Sequence, residues 1–192
     1  MNVCRMLCTW ASRLFVLPVV GVILAGCASM HIDDFAESKP SFVLQDYFDG
    51  PMTAYGIIKN RNGKVVSSFK GTLVGSWDAN GIGTLDEFFV YSNGDTQKRV
   101  WTFRPTGTNT FIGTAGDIVG EAPVIVKGNT MMIDYTMRIP RGKGTLDVDV
   151  KDWLHLQEDG VIVNHSKMRK FGIRVGELVI TIIKDFPPHE EK

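Results

Sequence analysis

The chain has 192 residues, with 21 basic and 21 acidic side chains, and 44% of its residues are hydrophobic. This length is sufficient for one domain with a sizeable core. The balanced charge argues against a nucleic-acid-binding protein, which requires a strongly basic face.

Residues 1–26 have the features of a cleavable export signal. Arg5 and Arg13 are the only charged residues there, and an apolar run of 12 residues, 14–25, follows them. That run is shorter than the ~18–20 residues that a helix needs to cross the hydrocarbon core of a membrane. The next motif, LAGC, ends at Cys27 and resembles the bacterial lipobox, in which the cysteine thiol accepts diacylglycerol. The sequence therefore predicts a signal peptide over residues 1–26 and lipidation of Cys27.

Lipidation of Cys27 would make the membrane a partner of the protein, because two or more acyl chains give stable anchoring. The following residue is Ala28 rather than aspartate. In lipoproteins of the enterobacterial type, this favours the outer membrane, with the protein facing the periplasm. No second cysteine remains after residue 27, so the mature chain is predicted to lack an intrachain disulfide. Residues 27–40 are predicted to form the lipidated tether.

Residues 41–186 are predicted to form one all-β domain, with a polar tail over residues 187–192. A short helix is expected over residues 41–48, with Ser41 as its N-cap. From Ala54 onward, short apolar segments alternate with turn signals, several of them Asn-Gly pairs, which is typical of antiparallel hairpins. We expect about eight to ten strands in a lipocalin-like antiparallel β-barrel, with a β-sandwich as the alternative.

Alternation along the predicted strands places several charged side chains on an apolar face. Asp152, for example, is two positions from both Val150 and Leu154, so it has the same parity as these apolar residues and lies on their face of the predicted strand. Buried charges destabilise a fold unless they are paired, so such groups should meet one another or a polar ligand. The candidate ligand-binding residues selected in this way are Glu87, Arg99, Trp101, Asp117 and Asp152.

Three interpretations of these residues remain open, and a fourth interpretation of the domain depends on other residues. The candidate residues form an ion-pair network that only stabilises the barrel, or they orient the polar end of an apolar ligand for which Gly113 and Ala115 leave room. In an enzyme acting on a lipid, a buried carboxylate would serve as acid or base. In a partner-docking module, an exposed Trp153 and the basic run 167–170 would form the contact surface.

The remaining polar residues give weaker signals. The four histidines are scattered, and no pair of histidines or cysteines has the spacing of a metal site, so neither a metal nor a cofactor is predicted. His165 follows Val161 and Val163 at a spacing of two and is therefore expected to point into the barrel. A lone core histidine of this kind is usually structural.

Six separate blocks of the sequence resemble one family of bacterial lipoproteins. They are residues 46–51, 85–91, 99–101, 116–122, 152–154 and 170–177. Together they are similar to the family called domain of unknown function 3833, over nearly all of the mature chain. The resemblance implies a lipocalin-like or related barrel in a Gram-negative envelope, and no catalytic residues transfer from it. Members tend to be encoded beside fatty-acid-modifying enzymes, an association that favours a lipid-related role.

The sequence as a whole favours an envelope lipoprotein without enzymatic activity. Its barrel is expected to bind an apolar or amphipathic small molecule, such as a fatty acyl chain. The lipid-modifying enzyme and the structural or docking module are the alternatives.

Overall fold

The computed structural model describes residues 30–184, and the segments on either side of them, which include Cys27 and the predicted signal and tail, lie outside the described residues. The chain divides into two units, Met1–Met30 and His31–Lys192, and all the strands belong to the second. Its strands are β1 (Gly50–Asn60), β2 (Val65–Trp77), β3 (Gly83–Tyr91), β4 (Thr96–Gly107), β5 (Thr110–Thr114), β6 (Ile118–Val119), β7 (Ala122–Lys127), β8 (Thr130–Arg141), β9 (Gly144–Leu156), β10 (Val161–Lys170) and β11 (Ile173–Lys184).

Helical structure is sparse in this unit. There is one four-residue α-helix, α1 (Leu44–Tyr47), and there are two 3-10 turns, Ile32–Phe35 and Glu158–Gly160. None of the helices in residues 30–184 is both long and apolar enough to span a bilayer.

Ten of the strands close into an antiparallel barrel, as predicted. Neighbouring strands in the ring follow one another along the chain, except where β1 meets β11. The two-residue β6, between β5 and β7 in sequence, lies outside the ring and pairs only with β8. The barrel closes where β1 pairs with β11 over nine residue pairs, from Met52–Lys184 to Asn60–Gly176. This up-and-down order, with no free edge in the ring, is a lipocalin-like barrel and rules out the sandwich alternative.

Alternation along the strands sorts side chains into the barrel core and its outer wall. On β2, Phe69, Gly71 and Leu73 are buried, whereas Lys70 and Thr72 between them are exposed. The same period of two holds on β8 and β9, where Ile133 and Val150 are among the buried positions. The inward residues therefore form the hydrophobic core, and burial of this surface is the main driving force for folding.

A short segment preceding β1, which we call the plug (residues 42–48), covers one end of the barrel. Phe42 and Phe48 are both at most 3% exposed, and the Trp77 Nε1 donates a hydrogen bond to the Phe48 carbonyl at 2.9 Å. A Cβ atom added to Gly75 would lie 2.0 Å from that same carbonyl oxygen. The glycine is thus needed for the close approach of the plug to β2.

The helix within the plug is shorter than predicted. It begins at Leu44 with Val43 as its N-cap, so the expectation that Ser41 is the cap was wrong. The reason is the neighbouring Phe42, whose side chain is buried and whose backbone N–H donates to the Gly128 carbonyl at 2.8 Å. Pairing with Gly128 holds this part of the chain outside the helix.

The segment before the plug lies against the outside of the barrel. Asp33 in the 3-10 turn forms an ion pair with Lys127 at the end of β7. The Phe35 ring lies 6.0 Å from that of Trp153 and 5.0 Å from that of His155, measured between centroids. Trp153 points outward, as its parity requires, but is only 4% exposed. The prediction of an exposed Trp153 was therefore wrong, because Phe35 covers it.

The end of the barrel opposite the plug is lined by half-buried apolar side chains. We call this set the apolar rim: Ile118, Met137, Ile139, Leu146, Met168 and Ile180. Each packs against the fully buried core but keeps part of its surface accessible, as does Trp77 at the plug end. Apolar side chains surrounding the mouth of a barrel are a common arrangement in small-molecule sites.

Candidate functional site

A group of four charged side chains lies inside the barrel. We call it the charged cluster: Glu87, Arg99, Asp117 and Asp152. Glu87 on β3 is directly opposite Arg99 on β4, and Asp152 on β9 is opposite Ser166 on β10. Asp117 lies in the turn between β5 and β6, from which its side chain reaches Arg99. All four candidates selected by parity thus point inward.

Arg99 and Asp117 form the central ion pair of the cluster. The Arg99 Nε lies 3.1 and 3.0 Å from the two carboxylate oxygens of Asp117, and Nη2 donates to Oδ2 at 2.6 Å. This two-nitrogen contact is the strong, geometrically specific form of an arginine–carboxylate pair. Although burial acts in the opposite direction, Glu87 and Asp117 raise the pKa of Arg99, which therefore remains charged.

Glu87 is less well satisfied than Asp117. Its residue surface is 8% exposed, and its Oε2 lies 3.8 Å from the Arg99 Nη1, beyond hydrogen-bond distance. This oxygen is buried and accepts no hydrogen bond from the described residues. Burial raises the pKa of Glu87 to about 7, with Arg99 opposing the shift and the two aspartates adding to it. A carboxyl group with this pKa exchanges its proton near neutral pH.

Asp152 is held mainly by a tyrosine. The Tyr135 hydroxyl donates to its Oδ2 at 2.9 Å, whereas Oδ1 is buried without a well-formed hydrogen bond in the described part of the chain. Burial raises the pKa of Asp152, while the Ser166 and Tyr135 hydroxyls and Arg99 partly offset the shift. Two buried carboxylate oxygens, one on Glu87 and one on Asp152, are therefore available to accept hydrogen bonds. Buried acceptors left in this state reduce stability unless a partner binds them.

Trp101, the fifth candidate, belongs to the packed core beneath the cluster. Its ring is stacked on Phe103 and meets Tyr135 edge to face, at centroid distances of 5.7 and 5.6 Å. With 5% of its surface exposed, Trp101 supports the position of Tyr135.

The charged cluster adjoins the apolar rim. The Arg99 Nη2 lies 3.5 Å from the sulfur of Met137, which is a rim residue. On the same side, the Gln97 amide lies 3.5 Å from Asp117 Oδ2, and the Tyr91 hydroxyl donates to Gln97 Oε1 at 2.6 Å. An amphipathic molecule entering past the rim would meet the charged cluster with its leading end.

Several residues of this site are absent from the set selected by sequence. Asn164 and Ser166 are buried and polar, and the Ser166 hydroxyl lies 3.3 Å from Asn164 Oδ1. Both are spaced by multiples of two from the buried Ile162, and this spacing was the sequence signal that could have identified them as inward residues. His165 was expected to point inward and does not, because the inward parity of β10 belongs to its even-numbered residues. Its imidazole instead lies 4.0 Å from Glu177 on the outer wall.

One further surface feature is found on the barrel wall, and Tyr91 is among the residues that line it. A depression of about 570 Å³ is found on the wall formed by β1, β2, β3 and β11, where Tyr55, Lys70 and Val90 face outward. Among residues 30–184, no group of histidine, cysteine, aspartate or glutamate side chains has the arrangement of a metal site.

Comparison with known proteins identifies the family. No curated protein matches the chain. One family model, described as "Protein of unknown function (DUF3833)", matches residues 21–184, which includes every strand of the barrel. The chain therefore belongs to this family of proteins of unknown function.

Proposed function

We propose that the protein is an envelope lipoprotein whose barrel binds an amphipathic molecule, such as one carrying a fatty acyl chain, through the end opposite the plug. The observation that carries the binding proposal is the pair of unsatisfied carboxylate oxygens on Glu87 and Asp152, adjoining half-buried apolar side chains. A few polar groups at the base of an apolar entrance are typical of sites that orient one ligand.

The plug and the rim support a single entrance. Phe42, Leu44 and Phe48 are buried at the plug end. At the other end, Met137, Leu146 and Ile180 retain accessible surface and can gain burial when an acyl chain packs on them. Each methylene buried in this way contributes about 0.8 kcal/mol. The rim thus favours the acyl chain, and the charged cluster favours a polar end group.

Binding is tested by identifying the molecule that the protein retains. The full chain, purified from membranes of a Gram-negative host in mild detergent, is expected to carry a small amphiphile in native mass spectrometry. Ile180→Asp puts a charge into the rim and is expected to reduce the occupied fraction at least about tenfold, since burying an unpaired charge strongly opposes binding. Absence of any retained amphiphile in the wild-type protein would refute the binding proposal.

The matched control for this experiment lies on the same strand. Ile183 on β11 points outward and is 38% exposed, so Ile183→Asp makes the same change on the outer wall. This variant should retain the amphiphile at the wild-type level. Equal losses in the two variants would show that the loss reflects general destabilisation rather than the rim.

Anchoring is a separate part of the proposal and has its own test. Cells grown with radiolabelled palmitate should incorporate label into the full chain and none into Cys27→Ser, because only the thiol accepts the diacylglycerol. Ser29 is two residues away, and Ser29→Ala is the control that should keep full labelling. Label that persists in Cys27→Ser would contradict the lipobox assignment, and this result would not bear on the binding site.

A further inference from the structure

The charged cluster contains more acids than bases. Three carboxyl groups, on Glu87, Asp117 and Asp152, face one guanidinium group, on Arg99. The excess is not neutralised by other nearby groups of the interior, since Tyr135, Asn164 and Ser166 are uncharged. At pH 7.5, which is above the Glu87 pKa of about 7, a ligand that enters the cluster therefore meets surplus negative charge.

Most of the hydrogen-bond donors of the cluster are already engaged. Arg99 directs Nε and Nη2 to Asp117, and its Nη1 lies 3.8 Å from Glu87 Oε2, so a ligand carboxylate at Nη1 would compete with Glu87. The single hydroxyl proton of Tyr135 is donated to Asp152.

The neighbouring polar side chains are engaged as well. The Asn164 amide nitrogen donates to the Trp153 carbonyl at 3.1 Å, and the single proton of the Ser166 hydroxyl serves either Asn164 Oδ1, at 3.3 Å, or Asp152. A carboxylate on a ligand would therefore have to displace one of these bonds or approach Arg99 Nη1 beside the carboxyl group of Glu87.

The unsatisfied atoms are acceptors. Glu87 Oε2 and Asp152 Oδ1 are the buried side-chain oxygens without a hydrogen-bond partner among the described residues, and both belong to carboxyl groups. A hydroxyl or ammonium group can donate to such oxygens and thereby removes the penalty of burying them unpaired. A second carboxylate adds like charge to the cluster and leaves both oxygens unsatisfied.

We infer that the bound amphiphile has a hydrogen-bond-donating end group without negative charge, such as a glycerol hydroxyl or an amine, and that the cluster discriminates against a free fatty acid. This inference rests on the proposed binding function and specifies the class of ligand. The ligand class is thus an acyl glycerol, a long-chain alcohol or a long-chain amine.

The test uses three photoreactive probes that share a C12 alkyl chain with a terminal diazirine and differ only in the end group. They are the glycerol ester, the amine and the carboxylate. The full chain in phosphatidylcholine nanodiscs is irradiated with each probe at pH 7.5, and cross-links to peptides of the apolar rim are quantified. Each yield is divided by the labelling of the bilayer lipid, which corrects for partitioning. We expect the carboxylate probe to label the rim peptides at least about tenfold less than the other two.

Two substitutions of acidic residues on β3 test whether the charged cluster causes this discrimination. Glu87→Gln removes one surplus negative charge and supplies an amide donor, so the discrimination against the carboxylate probe is expected to fall to about threefold or less. Asp86→Asn makes the same kind of change on the outer wall, where the side chain is 50% exposed, and should leave the tenfold ratio unchanged.

The possible outcomes separate the two proposals. If no probe labels the rim, the binding function itself fails. If the carboxylate probe labels as strongly as the others in the wild-type protein, the barrel binds amphiphiles but the inferred end-group chemistry is wrong. The same conclusion follows if Glu87→Gln and Asp86→Asn keep identical ratios, because the cluster would then play no part in selection.

Discussion

Replacing Arg99 by methionine is expected to lower the free energy of unfolding by about 3 kcal/mol at pH 7.5, because it removes the only cation from a group of three acids. Methionine keeps a long apolar stem, so the loss reports on charge more than on packing. The measurement is denaturant unfolding followed by tryptophan fluorescence. At pH 4 Glu87 and Asp152, whose pKa values are raised by burial, are able to take up protons, and the loss should be clearly smaller than at pH 7.5.

The matched control for Arg99→Met is on the outer wall. Arg138 pairs with Asp147 through Nε and Nη2 at 2.8 and 2.9 Å, a geometry similar to that of Arg99 with Asp117, but its side chain is 51% exposed. Solvent screens this pair, so Arg138→Met should lower stability by less than about 1 kcal/mol. Equal effects of the two substitutions would show that the charged cluster does not depend on Arg99.

The second large effect concerns the pH dependence of stability. The pKa of Glu87 is about 7 in the folded protein and 4.5 for a free side chain. Below pH 4.5 the group is protonated in both states. As the pH rises to 7, the unfolded state ionises first, so the folded state loses about 3 kcal/mol of relative stability. Above pH 7 the loss is complete.

The variant Glu87→Gln has no proton to lose and should not show this decline. Chemical denaturation at several pH values is expected to give curves for wild type and Glu87→Gln that nearly coincide at pH 4 and separate by up to about 3 kcal/mol at pH 8, with the variant more stable. The control Asp86→Asn should follow the wild-type profile. Parallel profiles for wild type and Glu87→Gln would contradict the raised pKa.

The barrel and the inward direction of the charged residues could be predicted because strand periodicity is a local property. Asp152 has buried residues at i−2 and i+2, and the structure places its side chain beside Tyr135 inside the barrel. A period of two is sufficient to assign a side to each residue once the inward face is known. It carries no information on which strands meet, so the pairing of Arg99 with Asp117 could not be predicted from the sequence.

The errors arose where tertiary contacts override local pattern. Trp153 points outward, and only the packing of Phe35 from a distant segment buries it. On β10 the outward Val163 is apolar, while the polar, inward Ser166 lies opposite Asp152 of the charged cluster and the polar, inward Asn164 contacts Ser166. This reverses the usual pattern and explains the wrong side assigned to His165.

Closure of the ring between β1 and β11 has a consequence for how the molecule folds. All other neighbours in the ring can form as local hairpins or near-local pairs, but this seam joins the first strand to the last. Contacts of such long sequence separation have a high entropic cost and slow the folding rate. Until Ile173–Lys184 has been synthesised, β1 and β10 each present an unpaired edge, which is a template for aggregation. A chain shortened within that last strand would therefore be kept from its native state at the final step of assembly.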